Sequence, residues 1–153
     1  KVNLVLCGNP AANLDNYNKM LNLAEKYGIK EQIFSLGYVS DKELVALYKK
    51  STALVFPTLI GPTSIPPLEA MFLGVPVICS NLFANPEQLG NAGVLFNPFE
   101  PNDMAEKIQQ VWVDNNLRKR VIERGYEKIK DVTPKTYANQ WILAVKEALS
   151  LKK

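Results

Sequence analysis

The chain has 153 residues, of which 47% are hydrophobic and 22% charged, and its net charge is +3. This composition fits one globular domain with a substantial core and excludes a disordered, collagen-like or coiled-coil chain. The absence of histidine excludes Ser-His-Asp and Cys-His catalysis and most zinc sites, and no apolar run reaches the roughly 20 residues of a membrane-spanning helix.

Strand-like and helix-like patterns alternate along the chain. In order, the sequence predicts strand Val2–Gly8, helix Asn13–Tyr27, strand Gln32–Gly37, a helix from the Ser40 capping box to Lys50, strand Ala53–Pro57, helix Pro67–Leu73, strand Val75–Cys79, strand Gly93–Phe96, and helices Asp103–Trp112, Asn116–Lys130 and Pro134–Leu149. This alternation predicts an α/β fold, a Rossmann-like parallel sheet with helices on both faces followed by three C-terminal helices. We expect residues 1–153 to form a single domain.

Cysteine and charge usage narrow the environment and the partners. Cys7 and Cys79 each end an apolar strand-like run, which predicts buried free thiols in a reducing compartment. Basic residues are spread along the chain, without the clustered basic face of a nucleic-acid-binding protein. We therefore expect no nucleic-acid partner, while an anionic ligand or a membrane surface stays open.

The stretch IPPLEA predicts an unusual helix start. A residue before proline is pushed out of the helical region, so Ile65 and Pro66 are expected to be extended. The helix then begins at Pro67 with Pro66 as N-cap, and Glu69 is its third residue. A proline N-cap has no amide hydrogen for a capping box with this Glu. If Ser64 caps the helix instead, helix-end electrostatics remains an explanation.

This helix start predicts a ligand site at the carboxyl ends of the strands, where doubly wound sheets bind their ligands. The amides of Leu68–Ala70 are expected to point out of the helix end, beside a small approach loop with Gly61, Thr63 and Ser64. Such amides hold phosphate. A carboxylate beside them would repel phosphate and suits paired hydroxyls, as on the ribose in Rossmann-type sites. Glu69 therefore indicates a nucleotide or nucleotide-sugar.

The order of these parts resembles the C-terminal domain of GT-B glycosyltransferases, specifically the group 1 family (family 4) of retaining enzymes. The matching segments are LVLCG (Leu4–Gly8), FSLGYVSDKELVALYKKS (Phe34–Ser51), ALVFPT (Ala53–Thr58), IPPLEAMFLGVPVICSN (Ile65–Asn81), PEQLGNAGVLFNP (Pro86–Pro98) and DMAEKIQQV (Asp103–Val111). They cover nearly the whole chain, and the run LEAM-x-x-G-x-PV-x-x-S-N is specific to the family.

The resemblance implies a sugar-nucleotide donor bound between two Rossmann-like domains. It implies that Glu69 bonds the ribose hydroxyls and that Leu68 packs beside the ribose. It also implies that Thr63, Ser64 and Ile65 lie at the sugar and phosphates, and that Tyr38 and Val39 lie along the base. The predicted donor-binding residues are Glu69, Thr63, Ser64, Ile65, Pro66, Leu68, Gly8, Tyr38 and Val39. In the family the diphosphate is held by helix-end amides and basic residues, so no metal and no cofactor besides the co-substrate is expected. Asn85, after the fourth strand, lies in a loop that faces the donor in the family, but we interpret it as the cap of a short surface helix.

The sequence departs from the family pattern in two ways. The family has an acid, seven residues and a second acid; Glu69 is the second, but Gly61 occupies the first position, so no catalytic residue is assigned. The strand that carries an Arg and a Lys for the diphosphate would lie upstream of Lys1, as would the acceptor-binding N-terminal domain. We therefore expect a domain truncated at its N-terminal edge and inactive alone.

The resemblance thus implies the donor-binding domain of a retaining, hexosyltransferase-like glycosyltransferase. The enzyme would transfer sugar from a nucleotide-sugar to a glycan or lipid-linked acceptor in polysaccharide biosynthesis. We expect it in the cytoplasm, with peripheral contact at the inner face of the membrane left open. Two alternatives stay open: a non-catalytic or degenerate nucleotide-sugar-binding domain, which Gly61 favours, and a nucleotide-sugar epimerase, although such enzymes rely on acids and histidines that are not found here.

Overall fold

The computed structural model of the chain describes residues 2–9, 13–60 and 64–151. The chain forms two compact units, Lys1–Ala46 and Leu47–Lys153. Strands and helices alternate in the predicted order, and all strand pairs are parallel. The predicted α/β fold with three C-terminal helices is therefore confirmed, while the single domain stays a prediction.

Five strands and seven helices make up the described parts of the chain. The strands are Leu4–Leu6 (β1), Ile33–Ser35 (β2), Leu54–Phe56 (β3), Val77–Ser80 (β4) and Gly93–Phe96 (β5). The helices are Leu14–Lys26 (α1), Asp41–Lys50 (α2), Ile65–Phe72 (α3), Asn85–Leu89 (α4), Pro101–Val113 (α5), Asn115–Ile129 (α6) and Pro134–Ser150 (α7). Within the described residues, no helix combines the length and hydropathy that crossing a membrane requires.

In the first unit, β1 and β2 pair along their full lengths. The N–H of Gly8 donates to the carbonyl of Gly37 at 2.8 Å, and both glycines have positive φ, 121° and 66°. These left-handed turns, which favour glycine, hold the carboxyl ends of the two strands together. Leu4 and Val5 are each 43% exposed, so the apolar run of β1 is not covered on both faces as the strands inside parallel sheets are. Among the described strands, β1 has β2 as its one neighbour.

The second unit is built on the parallel sheet β3-β4-β5, with β4 in the centre. All residues of β4 are buried, as its continuous apolar run predicts for a central parallel strand. Ile78, Phe96 and Val111 form the core between the sheet and α5. The partly buried residues around them are Ala53, Val55, Val94, Met104, Ile108 and Leu117. Helix α6 packs on α5 and α3, whereas α7 buries none of its residues.

Helix α3 ends in a Schellman motif on Gly74. The N–H of Gly74 donates to the carbonyl of Met71 at 3.1 Å, and the N–H of Val75 donates to that of Ala70 at 2.8 Å. The motif requires the positive φ of Gly74, 71°. A Cβ at this position would also overlap the hydroxyl of Tyr126 on α6. Both the positive φ and the position of the Tyr126 hydroxyl therefore favour glycine at residue 74.

We expect Gly74→Ala to lower the free energy of unfolding by about 1–3 kcal/mol, because it adds both backbone strain and overlap with Tyr126. Urea unfolding followed by circular dichroism measures this loss. Gly28→Ala is the matched control, since Gly28 closes α1 with the same hydrogen-bond motif and has positive φ, 66°, but a Cβ there meets open space. Equal losses in the two variants would contradict the contribution of Tyr126.

The two cysteines lie in different environments. Cys79 is buried in β4, and this burial raises the pKa of its thiol above the ordinary value of 9.0. Cys7 is exposed, so its predicted burial is wrong, because β1 is not covered. Because the pKa of Cys79 is higher in the folded than in the unfolded state, the protonated thiol contributes fully to the free energy of unfolding at pH values below the unfolded-state pKa. This contribution is lost as the pH rises through the folded-state pKa.

We expect a thiol reagent such as DTNB, at about pH 8, to modify Cys7 in the folded protein and Cys79 only after unfolding, because the exposed thiolate is the reactive species. The measurement is the thionitrobenzoate released before and after addition of urea. Cys7→Ser should abolish the reaction of the folded protein. Rapid reaction of the folded Cys7→Ser variant would contradict the burial of Cys79.

Candidate functional site

Helix α3 carries the predicted ribose-binding acid and begins earlier than predicted. Its first residue is Ile65, and its N-cap is Ser64, with φ −125° and ψ 118°. The prediction that Ile65 and Pro66 are extended and that Pro66 is the N-cap is therefore wrong. Pro66 and Pro67 fit the first turn because its N–H groups have no partner within the helix and no preceding turn clashes with the rings.

The earlier start also overturns the predicted row of outward-pointing amides. The N–H groups of Leu68, Glu69 and Ala70 lie beyond the first turn, where carbonyls of the same helix accept them. Among the three residues of the first turn, only Ile65 has an N–H, since the other two are prolines. A diphosphate at this helix end therefore requires donors from elsewhere.

Glu69 is the fifth residue of α3 and is exposed. The hydroxyl of Tyr48, at the end of α2, donates to its Oε2 at 3.3 Å and lies 3.4 Å from the carbonyl oxygen of Pro66. No lysine or arginine among the described residues forms an ion pair with Glu69. The fifth position is too deep for a capping box, and the helix dipole acts mainly within the first turn. The helix-end explanation of Glu69 therefore loses its basis.

Tyr48 is a site residue that sequence reasoning missed. It is 9% exposed and lies in the segment ALYKKS, which follows the predicted capping box of α2. Its apolar position in that helix indicates a core residue, and a buried tyrosine hydroxyl needs a hydrogen-bond partner. The sequence therefore indicates that the Tyr48 hydroxyl has a hydrogen-bond partner, but only the packing of the end of α2 on α3 shows that this partner is Glu69.

Two side chains of α4 hold Ser64 at the start of α3. The hydroxyl of Ser64 donates to Oδ1 of Asn85 at 3.1 Å. Gln88 accepts from the N–H of Ser64 at 3.0 Å and donates through Nε2 to its carbonyl at 2.8 Å. Ser64 is 5% exposed, so its hydroxyl is engaged within the protein. Its predicted contact with the donor sugar and phosphates stays a prediction.

Asn85 also ties this helix start to the carboxyl ends of β3 and β4. Its Nδ2 donates to the carbonyl oxygen and to Oγ of Ser80, at 3.2 Å each. The hydroxyl of Ser80 donates to the carbonyl of Thr58 at 2.7 Å. The interpretation of Asn85 as a surface helix cap is wrong: the N-cap of α4 is Ala84, and Asn85 is fully buried. Ser80 lies five positions before Asn85, but Ser64 lies 21 positions away, so no local pattern indicates the complete set of partners.

The other predicted donor-binding residues of the second unit differ in exposure. Ile65 is 68% exposed, while Pro66 and Leu68 are half-buried. Thr63, and Gly61 at the usual first-acid position, lie outside the described residues. In the parts of the chain that are described, no three acidic or cysteine side chains converge as a metal site requires.

The remaining three predicted residues belong to the first unit. Gly8 follows β1, and Tyr38 and Val39 follow β2, so all three lie at the carboxyl ends of strands as predicted. Tyr38 is 85% exposed and Val39 is half-buried. An exposed aromatic ring at this edge is available for contact with a flat ligand surface. A role along the nucleotide base stays a prediction.

Sequence comparison places these features among known proteins. Residues 1–128 match the family model of glycosyl transferases group 1. O-antigen chain mannosyltransferase B of Escherichia coli is 35% identical over 111 residues, covering 72% of this chain and 29% of that protein. D-inositol 3-phosphate glycosyltransferase of Corynebacterium glutamicum is 27% identical and covers 81% of this chain and 30% of that protein. The chain thus spans less than a third of the length of these relatives.

Solved structures share the fold. HepE from Anabaena, in complex with UDP, matches with a TM-score of 0.84 at 18% identity, over 95% of this chain and 41% of that one. Sucrose-phosphate synthase from Thermosynechococcus elongatus matches with a TM-score of 0.80 at 21% identity, over 97% of this chain and 39% of that one. At these identities the likeness establishes the fold alone.

Proposed function

Because this chain belongs to the group 1 glycosyl transferases, we propose that it is the donor-binding domain of a retaining, nucleotide-sugar-dependent glycosyltransferase. The observation that carries the proposal is the environment of Glu69. Its exposed carboxylate accepts a hydrogen bond from the Tyr48 hydroxyl and forms no ion pair with a lysine or arginine among the described residues. A carboxylate accepts several hydrogen bonds, which suits the two adjacent hydroxyls of a ribose.

The proposed donor is the nucleotide conjugate of a hexose, with mannose as the first candidate. The 35% identity to an O-antigen chain mannosyltransferase supports mannose and a polysaccharide or lipid-linked acceptor. The chain covers 29% of that relative, so acceptor binding is assigned to an N-terminal domain of the whole protein. In this proposal the enzyme works in the cytoplasm and contacts the membrane peripherally.

The residues of the chain have separate roles in this proposal. Glu69 orients the ribose, and the Tyr48 hydroxyl fixes one oxygen of that carboxylate. Because the first turn of α3 supplies the N–H of Ile65 alone, basic residues of the rest of the protein hold most of the diphosphate. With that charge neutralised by protein groups, the proposed reaction needs no metal. The chain by itself binds donor but does not complete transfer.

A non-catalytic nucleotide-sugar-binding domain is the second candidate, and Gly61 at the usual first-acid position favours it. Introducing Gly61→Glu into the whole protein distinguishes the two, with sugar transfer as the measurement. Lost turnover would support a site adapted to glycine, whereas a gain in turnover would support a decayed active site. The family match leaves no observation that favours the epimerase alternative.

Calorimetric titration of the chain with UDP, GDP, UDP-glucose and GDP-mannose tests donor binding. We expect saturable binding of one nucleotide and of its sugar conjugate. The same titration of the whole protein includes any diphosphate-binding residues that precede this chain. Failure of both proteins to bind any of the four ligands would contradict the proposed function.

A further inference from the structure

The hydrogen bonds of Asn85 and Gln88 point to a role for α4 at the donor site. Both side chains extend from α4, and both end on Ser64, the residue that opens α3. We propose that Asn85 and Gln88 are positioning residues of the donor site, which fix the start of α3 and thereby the place where Glu69 meets the ribose. This inference rests on the proposed donor-binding function.

Gln88 holds the main chain of Ser64 at two points. Its Oε1 accepts from the N–H at 3.0 Å, and its Nε2 donates to the carbonyl at 2.8 Å. Two bonds of opposite direction fix both the position and the orientation of the backbone, as the pairing of neighbouring strands does. A side-chain amide is suited to this because it carries one donor group and one acceptor group side by side.

Asn85 links Ser64 to the central strand β4 by hydrogen bonds. Its amide donates to Ser80 at the end of β4, and its Oδ1 accepts from the hydroxyl of Ser64. In the described residues, no buried side-chain nitrogen or oxygen lacks a partner. Burying an asparagine side chain destabilises a protein unless its amide groups form hydrogen bonds. The partners of Asn85 therefore restrict Ser64 and Ser80 to one relative position.

Helix α4 is fixed by packing and by a hydrogen bond from α6. Its Leu89 is fully buried, and Lys128 on α6 donates to the carbonyl of Glu87 at 3.2 Å. The two positioning side chains therefore extend from a supported element, which is what a precise site requires. Most of the packing of α3 does not involve Asn85 or Gln88, because the buried residues of the helix, Pro67, Ala70 and Met71, face the core.

Because the packing face of α3 is separate, loss of the Gln88 bonds should change ligand affinity more than stability. Gln88→Glu provides a sharp test. Its carboxylate still accepts from the N–H of Ser64 but meets the Ser64 carbonyl without a donor. Protonation of the introduced acid restores an O–H donor, so the defect should reverse at low pH.

The experiment measures the dissociation constants of GDP-mannose and UDP-glucose for the chain, and uses whichever ligand the unaltered chain binds. We expect Gln88→Glu to bind about 10-fold more weakly at about pH 8 and to return to within about 3-fold of the unaltered chain at about pH 4, where an ordinary glutamate is largely protonated. Gln109→Glu, on the exposed face of α5, is the matched control and should follow the unaltered chain at both pH values.

Two other outcomes of the titration would count against the inference. Equal affinity of Gln88→Glu and the unaltered chain at both pH values would overturn it. A loss of affinity that persists at low pH together with a lowered melting temperature would assign Gln88 a merely structural role. If the unaltered chain binds neither ligand, titration of the whole protein decides the proposed function, and amide hydrogen exchange of the chain tests the positioning separately. Faster exchange of the Ser64 amide in Gln88→Ala, which removes its acceptor, would support it, and unchanged exchange would overturn it.

Discussion

Glu69→Ala is expected to weaken binding of the recognised nucleotide by about 10- to 100-fold, because hydrogen bonds to a charged group contribute about 1.5–3 kcal/mol. The carboxylate is exposed, and the described residues offer it the Tyr48 hydroxyl but no cation. Ribose hydroxyls would therefore be its main charge-assisted partners in the bound state. Calorimetric titration of the variant against the unaltered chain measures the loss.

Three further variants define the origin of that loss. Glu69→Gln keeps the shape and one acceptor and should fall between alanine and glutamate. Tyr48→Phe removes the long hydrogen bond from the Tyr48 hydroxyl to the Glu69 carboxylate and should cost about 2- to 5-fold in affinity. Glu106→Ala removes an exposed acid from α5 with the same change of net charge and should leave affinity unchanged. Binding by Glu69→Ala as tight as by the unaltered chain would contradict the assigned ribose contact.

Asn85→Ala is expected to lower the free energy of unfolding by about 2–4 kcal/mol, the largest stability effect predicted for this chain. The substitution removes the acceptor of the Ser64 hydroxyl and the side-chain donor to the Ser80 carbonyl, both at buried residues. It also leaves a cavity where a fully buried side chain stood. Urea unfolding followed by circular dichroism measures the difference.

Asn81→Ala is the matched control for Asn85→Ala. Asn81 lies at the same edge of the sheet but is exposed. Its main-chain N–H donates to the carbonyl of Phe96 at 2.8 Å, a bond that the substitution keeps. The control should change stability by less than about 0.5 kcal/mol. A loss of similar size in both variants would show that the buried hydrogen bonds of Asn85 contribute little.

Local patterns were sufficient for most of the secondary structure. The Ser40 capping box is an example: the N–H of Ser40 donates to Oε2 of Glu43 at 2.8 Å, and the N–H of Glu43 donates to Oγ of Ser40 at 3.4 Å. The Ser40 hydroxyl and amide hold the pKa of Glu43 below its ordinary value. All partners lie within one turn, so the residue types and their spacing determine the helix start.

The start of α3 required information that the local pattern does not contain. Prolines at 66 and 67 are compatible with a helix that begins at either Ile65 or Pro67, because both rings are tolerated within a first turn. The structure begins the helix at Ile65, after a Ser64 main chain that Gln88 bonds from 24 positions away. The predicted amide site depended on the later start and was therefore wrong.

The sequence by itself determined the α/β class, the order of the elements, the family and the segment with Glu69. These depend on apolar periodicity and on motifs, which are local or nearly so. Tertiary structure alone decided that Tyr48 bonds Glu69, that Asn85 is buried and that β1 is exposed. Side-chain chemistry states which groups need a partner or a cover, but only the packing of distant segments supplies them.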